Sequence, residues 1–163
     1  MNEYKELVFE LFESKSGRTI ANSSDAHAAI LYSAMFKFAD NMVCILCRNL
    51  KDSVFGNSDV LAQAQSFLQA GKKLHIALQD DPQPSQFLRM ILNPAFDSQV
   101  KICRIGEVFL KDGSSFNFST MDDRAYRLEP NREETKAIAS AYDTDFTAKL
   151  NDIFQIITKM PGE

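Results

Sequence analysis

Two short apolar runs, Met42–Cys47 and Leu74–Leu78, and a third strand-like stretch, Val100–Ile105, punctuate the first two thirds of the chain. Met42–Cys47 is unbroken, which is how a strand covered on both faces reads. Between the runs the apolar residues recur every third or fourth position, the period of a helix with one face on a core. Ser24 is placed to cap a first helix reaching about Ala39, with Ala28, Leu31, Met35 and Phe38 on one side. Asn57 or Ser58 can cap a second, with Val60, Leu61, Ala64, Phe67 and Leu68 on its face. Gly71 then stands where a helix often ends in a left-handed residue. Ser85 opens a short third helix using Phe87, Leu88, Ile91 and Leu92. Strand and helix signals in alternation predict right-handed crossovers and an α/β fold, with a mixed, largely parallel sheet flanked by helices.

Beyond residue 105 the elements shorten. Val108–Leu110, a Lys111-Asp112-Gly113 turn, Ser115–Met121 and Arg124–Leu128 read as short strands or hairpins added to that sheet, and Thr135–Tyr142 as one more strand or a short helix. Asp143 or Thr144 can cap a closing helix carrying Phe146, Leu150, Ile153, Phe154 and Ile157. At the other end, Leu7, Phe9 and Leu11 fit a strand while Val8, Leu11 and Phe12 fit a helix, so Tyr4–Glu13 stays open; Lys15–Asn22 is polar enough for a loop. No repeat or low-complexity tract appears. The 163 residues suit one domain, 1–163, with 1–23 as an N-terminal segment and 158–163 as a frayed tail.

A net charge of −4 gives no general reason to bind phosphate backbones, so there is no strong case for a nucleic-acid partner. The opening residues are polar and of mixed charge, unlike a signal peptide, and no apolar run is long enough to span a bilayer. A cytoplasmic protein without a membrane partner is expected. Cys44, Cys47 and Cys103 are odd in number and sit in apolar stretches, which argues against a disulfide framework. Cys44 and Cys47 have CxxC spacing, but residues three apart on a strand face opposite ways, so structural thiols are expected rather than a metal site. Asp80-Asp81 and Asp122-Asp123 lack the spacing of a calcium loop and read as turn formers. With neither a GxSxG elbow nor a Walker loop, no metal and no cofactor are expected.

The segments VCILCRNL, FLQAGKKLHIALQD, VKICRIG, RAYRLEP after an acidic turn, and DTDFTAKLNDIF resemble, in this order, a single phospholipase D-like domain over most of residues 24–157. Active members of that family carry HxKxxxxD, whose His attacks phosphorus while the Lys holds phosphate oxygens and the Asp supports the site. Counting back from Asp122 puts Ser115 and Asn117 at the His and Lys positions; counting from Asp123 puts Phe116 and Phe118 there. Neither register supplies a nucleophile with a cation beside it. The two histidines, His27 and His75, begin no HxK. His75 reads as a strand histidine hydrogen-bonded in place, and His27 as a partly exposed packing residue near a helix start.

Ligands of open sheets sit beyond the carboxyl ends of parallel strands. Those ends carry Arg48-Asn49, Gln79-Asp80-Asp81 and Arg104, while Arg127 and Glu129, two apart, share a strand face. The candidate ligand-binding set is therefore Arg48, Asn49, Asp80, Arg104, Asp122, Arg127 and Glu129, with no catalytic residue. The competing reading makes Arg127 and Glu129 an ion pair with a structural role. The resemblance implies a catalytically inactive binding or interaction module, paired as a homodimer because one-domain members complete their site with a second copy, and working with a protein partner. Two alternatives stay open: a divergent phosphodiesterase or nuclease using Arg48, Arg104, Arg127 and Glu129, and a small antitoxin-like protein whose acidic surface covers a basic one.

Overall fold

A computed structural model describes residues 2–105, 116–130 and 136–159. Its helices are α1 (Asn2–Glu13), α2 (Asp25–Phe38), α3 (Asp52–Phe55), α4 (Ser58–Gln69), α5 (Gln86–Ile91) and α6 (Thr144–Lys159). The strands are β1 (Thr19–Asn22), β2 (Met42–Cys47), β3 (Lys73–Leu78), β4 (Val100–Arg104), β5 (Asn117–Met121), β6 (Ala125–Glu129) and β7 (Ala137–Ser140). The expected caps form. Ser24 accepts from the His27 N–H at 3.1 Å, Asn57 from Asp59 at 2.9 Å, Ser85 from Leu88 at 3.0 Å and Asp143 from Phe146 at 3.0 Å. Gly71 takes the left-handed conformation, φ 83°, one residue past the α4 C-cap.

The ambiguous first segment is helical. Val8, Leu11 and Phe12 are buried while Glu3, Glu6, Glu10 and Glu13 are exposed, a three-four spacing that only a helix presents on one side. The loop expected at Lys15–Asn22 contains β1 instead, a four-residue edge strand paired with β7. Its Ala21 carbonyl accepts from the Tyr4 hydroxyl of α1 at 2.8 Å. Thr135–Tyr142 contains a strand rather than a helix, and α6 runs on to Lys159, into the segment expected as tail. Val108–Leu110, the turn at Gly113 and Ser115 lie outside the described residues.

The seven described strands are ordered β1-β7-β6-β5-β2-β3-β4. The α/β class with a mixed sheet and flanking helices stands, but the expectation of a largely parallel sheet needs correction. Only β2-β3 and β3-β4 are parallel; the other four pairings are antiparallel. Crossover helices α4 and α5 enforce parallel strands where they intervene. β5, β6 and β7 are neighbours in sequence and in the sheet and run antiparallel, a meander, and β5 joins β2 antiparallel.

Alternation along each strand divides the core in two. Val43, Ile45 and Cys47 face a layer containing α1 to α5, and Cys44 and Leu46 face α6. The CxxC sulfurs thus lie on opposite sides of the sheet, as their spacing requires. α2 is buried on most of its circumference because α1 and α4 pack against it above the sheet. Among the described residues α6 covers the reverse face, which its Leu150, Phe154 and Ile157 fill together with Phe118 and Tyr126.

Candidate functional site

On the α2 side, at the carboxyl end of β2, a cavity of about 400 Å³ opens between the sheet, α2 and α3. Asn117 begins β5 opposite Glu129, and Ser119 sits opposite Arg127, so the antiparallel register places four polar residues in two facing pairs. All four are at least nine-tenths buried. Groups so deep must be mutually bonded. The Glu129 carboxylate accepts from Arg127 Nη2 at 3.0 Å and from Asn117 Nδ2 at 3.1 Å. Arg127 Nε donates to Asn22 Oδ1 at 2.8 Å, which ties the edge strand β1 to the site, and the guanidinium lies 5.6 Å from the Tyr32 ring centre. The Tyr32 hydroxyl and Ser119 Oγ share a hydrogen bond of 2.6 Å. Burial pushes the Tyr32 phenol up, against the lowering effect of Arg127.

The rim is charged and internally paired. Lys51 Nζ reaches Asp25 Oδ1 at 3.0 Å and Ser53 Oγ donates to Asp25 Oδ2 at 2.7 Å. Burial pushes the Asp25 carboxyl up, but the bonds from Ser53 and Lys51 outweigh it and hold the group below its ordinary value. Arg48 Nε meets Asp80 Oδ2 at 2.7 Å, and Arg104 Nη1 meets Asp81 Oδ1 at 2.5 Å. These exposed pairs link the ends of β2 to β3 and of β3 to β4, and pairs of this kind contribute up to about 1 kcal/mol each. Cys47, the thiol in the cavity wall, is pushed up to about 12 by burial. It stays protonated.

Of the residues singled out from sequence, Arg48, Asn49, Arg127 and Glu129 line the one cavity. Asp80 and Arg104 lie along the same edge, Asp80 as the partner of Arg48, but neither is in the cavity wall. Asp122 is at the opposite end of the sheet, because β5 runs antiparallel to β2 and its exit turn meets the start of β2. There Asp122, with φ 53°, accepts from the backbone N–H groups of Asp40, Asn41 and Met42 at 2.7, 2.8 and 2.9 Å. Its carboxylate is a backbone clamp. Asn117, Asp25, Tyr32 and Lys51 belong to the site without having been in that set. Asn117 and Ser119 could have been found by closing the β5–β6 hairpin about Asp123; Tyr32 and Lys51 carry no local signal.

The geometry also separates the two possible registers of the family motif. Phe118 packs against Phe154 on the α6 side, ring centres 6.3 Å apart, whereas Asn117 faces the cavity. The register counted from Asp122 is therefore the one that points into the site. His27 stacks on Tyr4 with ring centres 3.8 Å apart, and His75 meets Phe154 edge-on at 4.9 Å on the other face of the sheet. Neither histidine lines this cavity.

Three parallel strands joined by crossovers, continued by an antiparallel meander and closed by one helix on the reverse face, constitute a phospholipase D-like fold. No protein-family model and no curated protein sequence matches the chain. Among solved structures it is similar to NucT from Helicobacter pylori, with TM-score 0.63 and 14% identity over 87% of this chain and 96% of that one. It is similar also to Nuc from Salmonella typhimurium, a phospholipase D family member, with TM-score 0.59 and 8% identity over 87% and 94%. TrmBL2, an archaeal chromatin protein with a novel mode of DNA binding, matches with TM-score 0.60 and 14% identity over 97% of this chain and 58% of its own. At such identities the likeness is one of fold.

Proposed function

We propose that the chain is a catalytically inactive phospholipase D-like binding module, acting as a homodimer with a protein partner, and that the Arg48–Glu129 cavity is where it binds. Asn117 carries this reading. In the register that faces the cavity it occupies the position where active members place the Lys, and its amide nitrogen is committed to Glu129. Arg127, the buried cation beside it, is neutralised by the same carboxylate. Phosphoryl transfer needs positive charge free to meet the charge that develops on the phosphate oxygens. Here Arg127, Lys51 and Arg48 each face a carboxylate of the chain itself. A cavity balanced in this way offers hydrogen bonds and shape to a polar group of a partner. Dimerisation follows from the family resemblance, in which a one-domain member keeps its pairing surface.

The rival reading, a divergent phosphodiesterase, draws on the convergence of Arg48, Arg127 and Glu129 on one cavity; Arg104, its fourth member, stands outside. A chromogenic aryl phosphate diester separates the two. Release indistinguishable from buffer is expected, whereas turnover that Glu129→Gln abolishes and Asp123→Asn preserves would establish the enzyme. Sedimentation equilibrium tests the pairing: a dimer is expected, and a monomer at tens of micromolar would remove that part of the proposal.

A further inference from the structure

A second cavity, of about 350 Å³, lies beneath α6 on the reverse face of the sheet. Met42 and Cys44 are two apart on β2 and so project from one face. His75 pairs in register with Cys44 across the parallel β2-β3 ladder, about 4.8 Å away in backbone spacing. A thioether, a thiol and an imidazole thus line the same cavity from adjacent positions. Two of the oxygen groups beside them are engaged: the Asp122 carboxylate holds three backbone N–H groups, and Thr120 Oγ1 donates to Asn151 Oδ1 at 2.6 Å. Met42, Cys44 and His75 are the soft donors of this wall, which Asp123 and Gln155 also line.

We propose that this cavity binds one soft monovalent metal ion, copper(I) or silver(I), through Met42, Cys44 and His75. Thioether and thiolate sulfur select such ions, and imidazole suits copper as well. No cluster of three or more His, Cys, Asp or Glu side chains able to hold a metal occurs among the described residues, which removes the ligand count that tetrahedral zinc needs. Binding breaks the Cys44 S–H bond and forms a sulfur–metal bond; the proton goes to solvent and the metal keeps its oxidation state. Burial, and then Lys101, lower the proton affinity of His75. Burial also pushes the Cys44 thiol up to about 11, a cost that direct coordination of the sulfur offsets.

The test is an anaerobic titration of the purified chain with copper(I), kept reduced by excess ascorbate, against a chromogenic copper(I) chelator. One ion per chain is expected. Met42 and His75 are only half-buried, so Met42→Leu and His75→Ala keep the fold and should each weaken retention by about tenfold or more. Cys103, outside the cavity wall, serves as control, and Cys103→Ser should change nothing. Equal affinity in His75→Ala, or loss of the ion in Cys103→Ser, overturns the site.

Discussion

Removing the Glu129 side chain is the sharpest perturbation of the buried network. Glu129→Ala takes away the acceptor of two hydrogen bonds at once and strands Asn117 Nδ2 and Arg127 Nη2. The Arg127 residue is 3% exposed, so its charge keeps Asn22, the Tyr32 ring and the more distant Asp25 carboxylate. Stranding a buried neutral donor costs about 1–3 kcal/mol, and breaking a buried ion pair by removing one member costs about 3–5 kcal/mol. The adjoining cavity admits water to part of the network, which brings the expected loss to about 3 kcal/mol. At this chain length that lowers the melting temperature by about 6–12 °C. Arg127→Ala should cost a similar amount by stranding Glu129 and Asn22. Because both single changes break one network, Arg127→Ala with Glu129→Ala in one chain should be less harmful than the sum of the singles, by at least about 1 kcal/mol. Thermal and urea melts of the four proteins give the answer. Single variants within about 1 °C of the parent, or strictly additive losses, would show that the pair is solvated and refute the reasoning.

Three further outcomes follow from individual side chains. Asp122→Ala loses an acceptor for three backbone N–H groups and puts Cβ-only alanine at φ 53°, so urea unfolding should show a loss of about 2–4 kcal/mol, against about 0.5 kcal/mol or less for exposed Asp123→Ala. His75 binds a proton less readily folded than unfolded, through burial and then Lys101. In chelator-treated protein its contribution is complete above about pH 6.5 and declines as pH falls from there through the lower folded value, a slope that His75→Phe should flatten in urea midpoints measured between pH 5 and 8. Disulfide-exchange labelling at pH 8 should modify half-buried Cys103 first. Cys44 and Cys47, pushed up to about 11 and 12, should react only on unfolding, and fast labelling of all three would contradict their burial.

Elements bounded by a side-chain cap or an unbroken apolar run were legible in the sequence, because Ser24, Asn57, Ser85 and the β2 and β3 runs act through local contacts. α1 was ambiguous while only its apolar residues were read; the four glutamates at helical spacing carry the deciding signal. β1 was invisible because a four-residue edge strand in a polar stretch owes its existence to β7, more than a hundred residues away. Strand direction differs from the expectation at β5 and β6, where the turn at 122–124 sends the chain back antiparallel. Asp122 entered the candidate set as a possible Asp of the family motif, but an antiparallel β5 carries its exit turn to the start of β2, away from the other candidates. Arg127 and Glu129 were legible as a shared face, but their third partner, Asn22, comes from the edge strand, and Tyr32 from a helix whose polar contact no periodicity reveals.

We propose that the Arg127–Glu129–Asn117 network binds without cleaving. Prolonged incubation of the parent protein at high concentration with an activated aryl phosphate diester, followed by phosphorus NMR, measures it most directly. The diester resonance should persist unchanged, with no monoester beyond the buffer control. Monoester that accumulates in proportion to protein, and ceases with Glu129→Gln, would contradict the account.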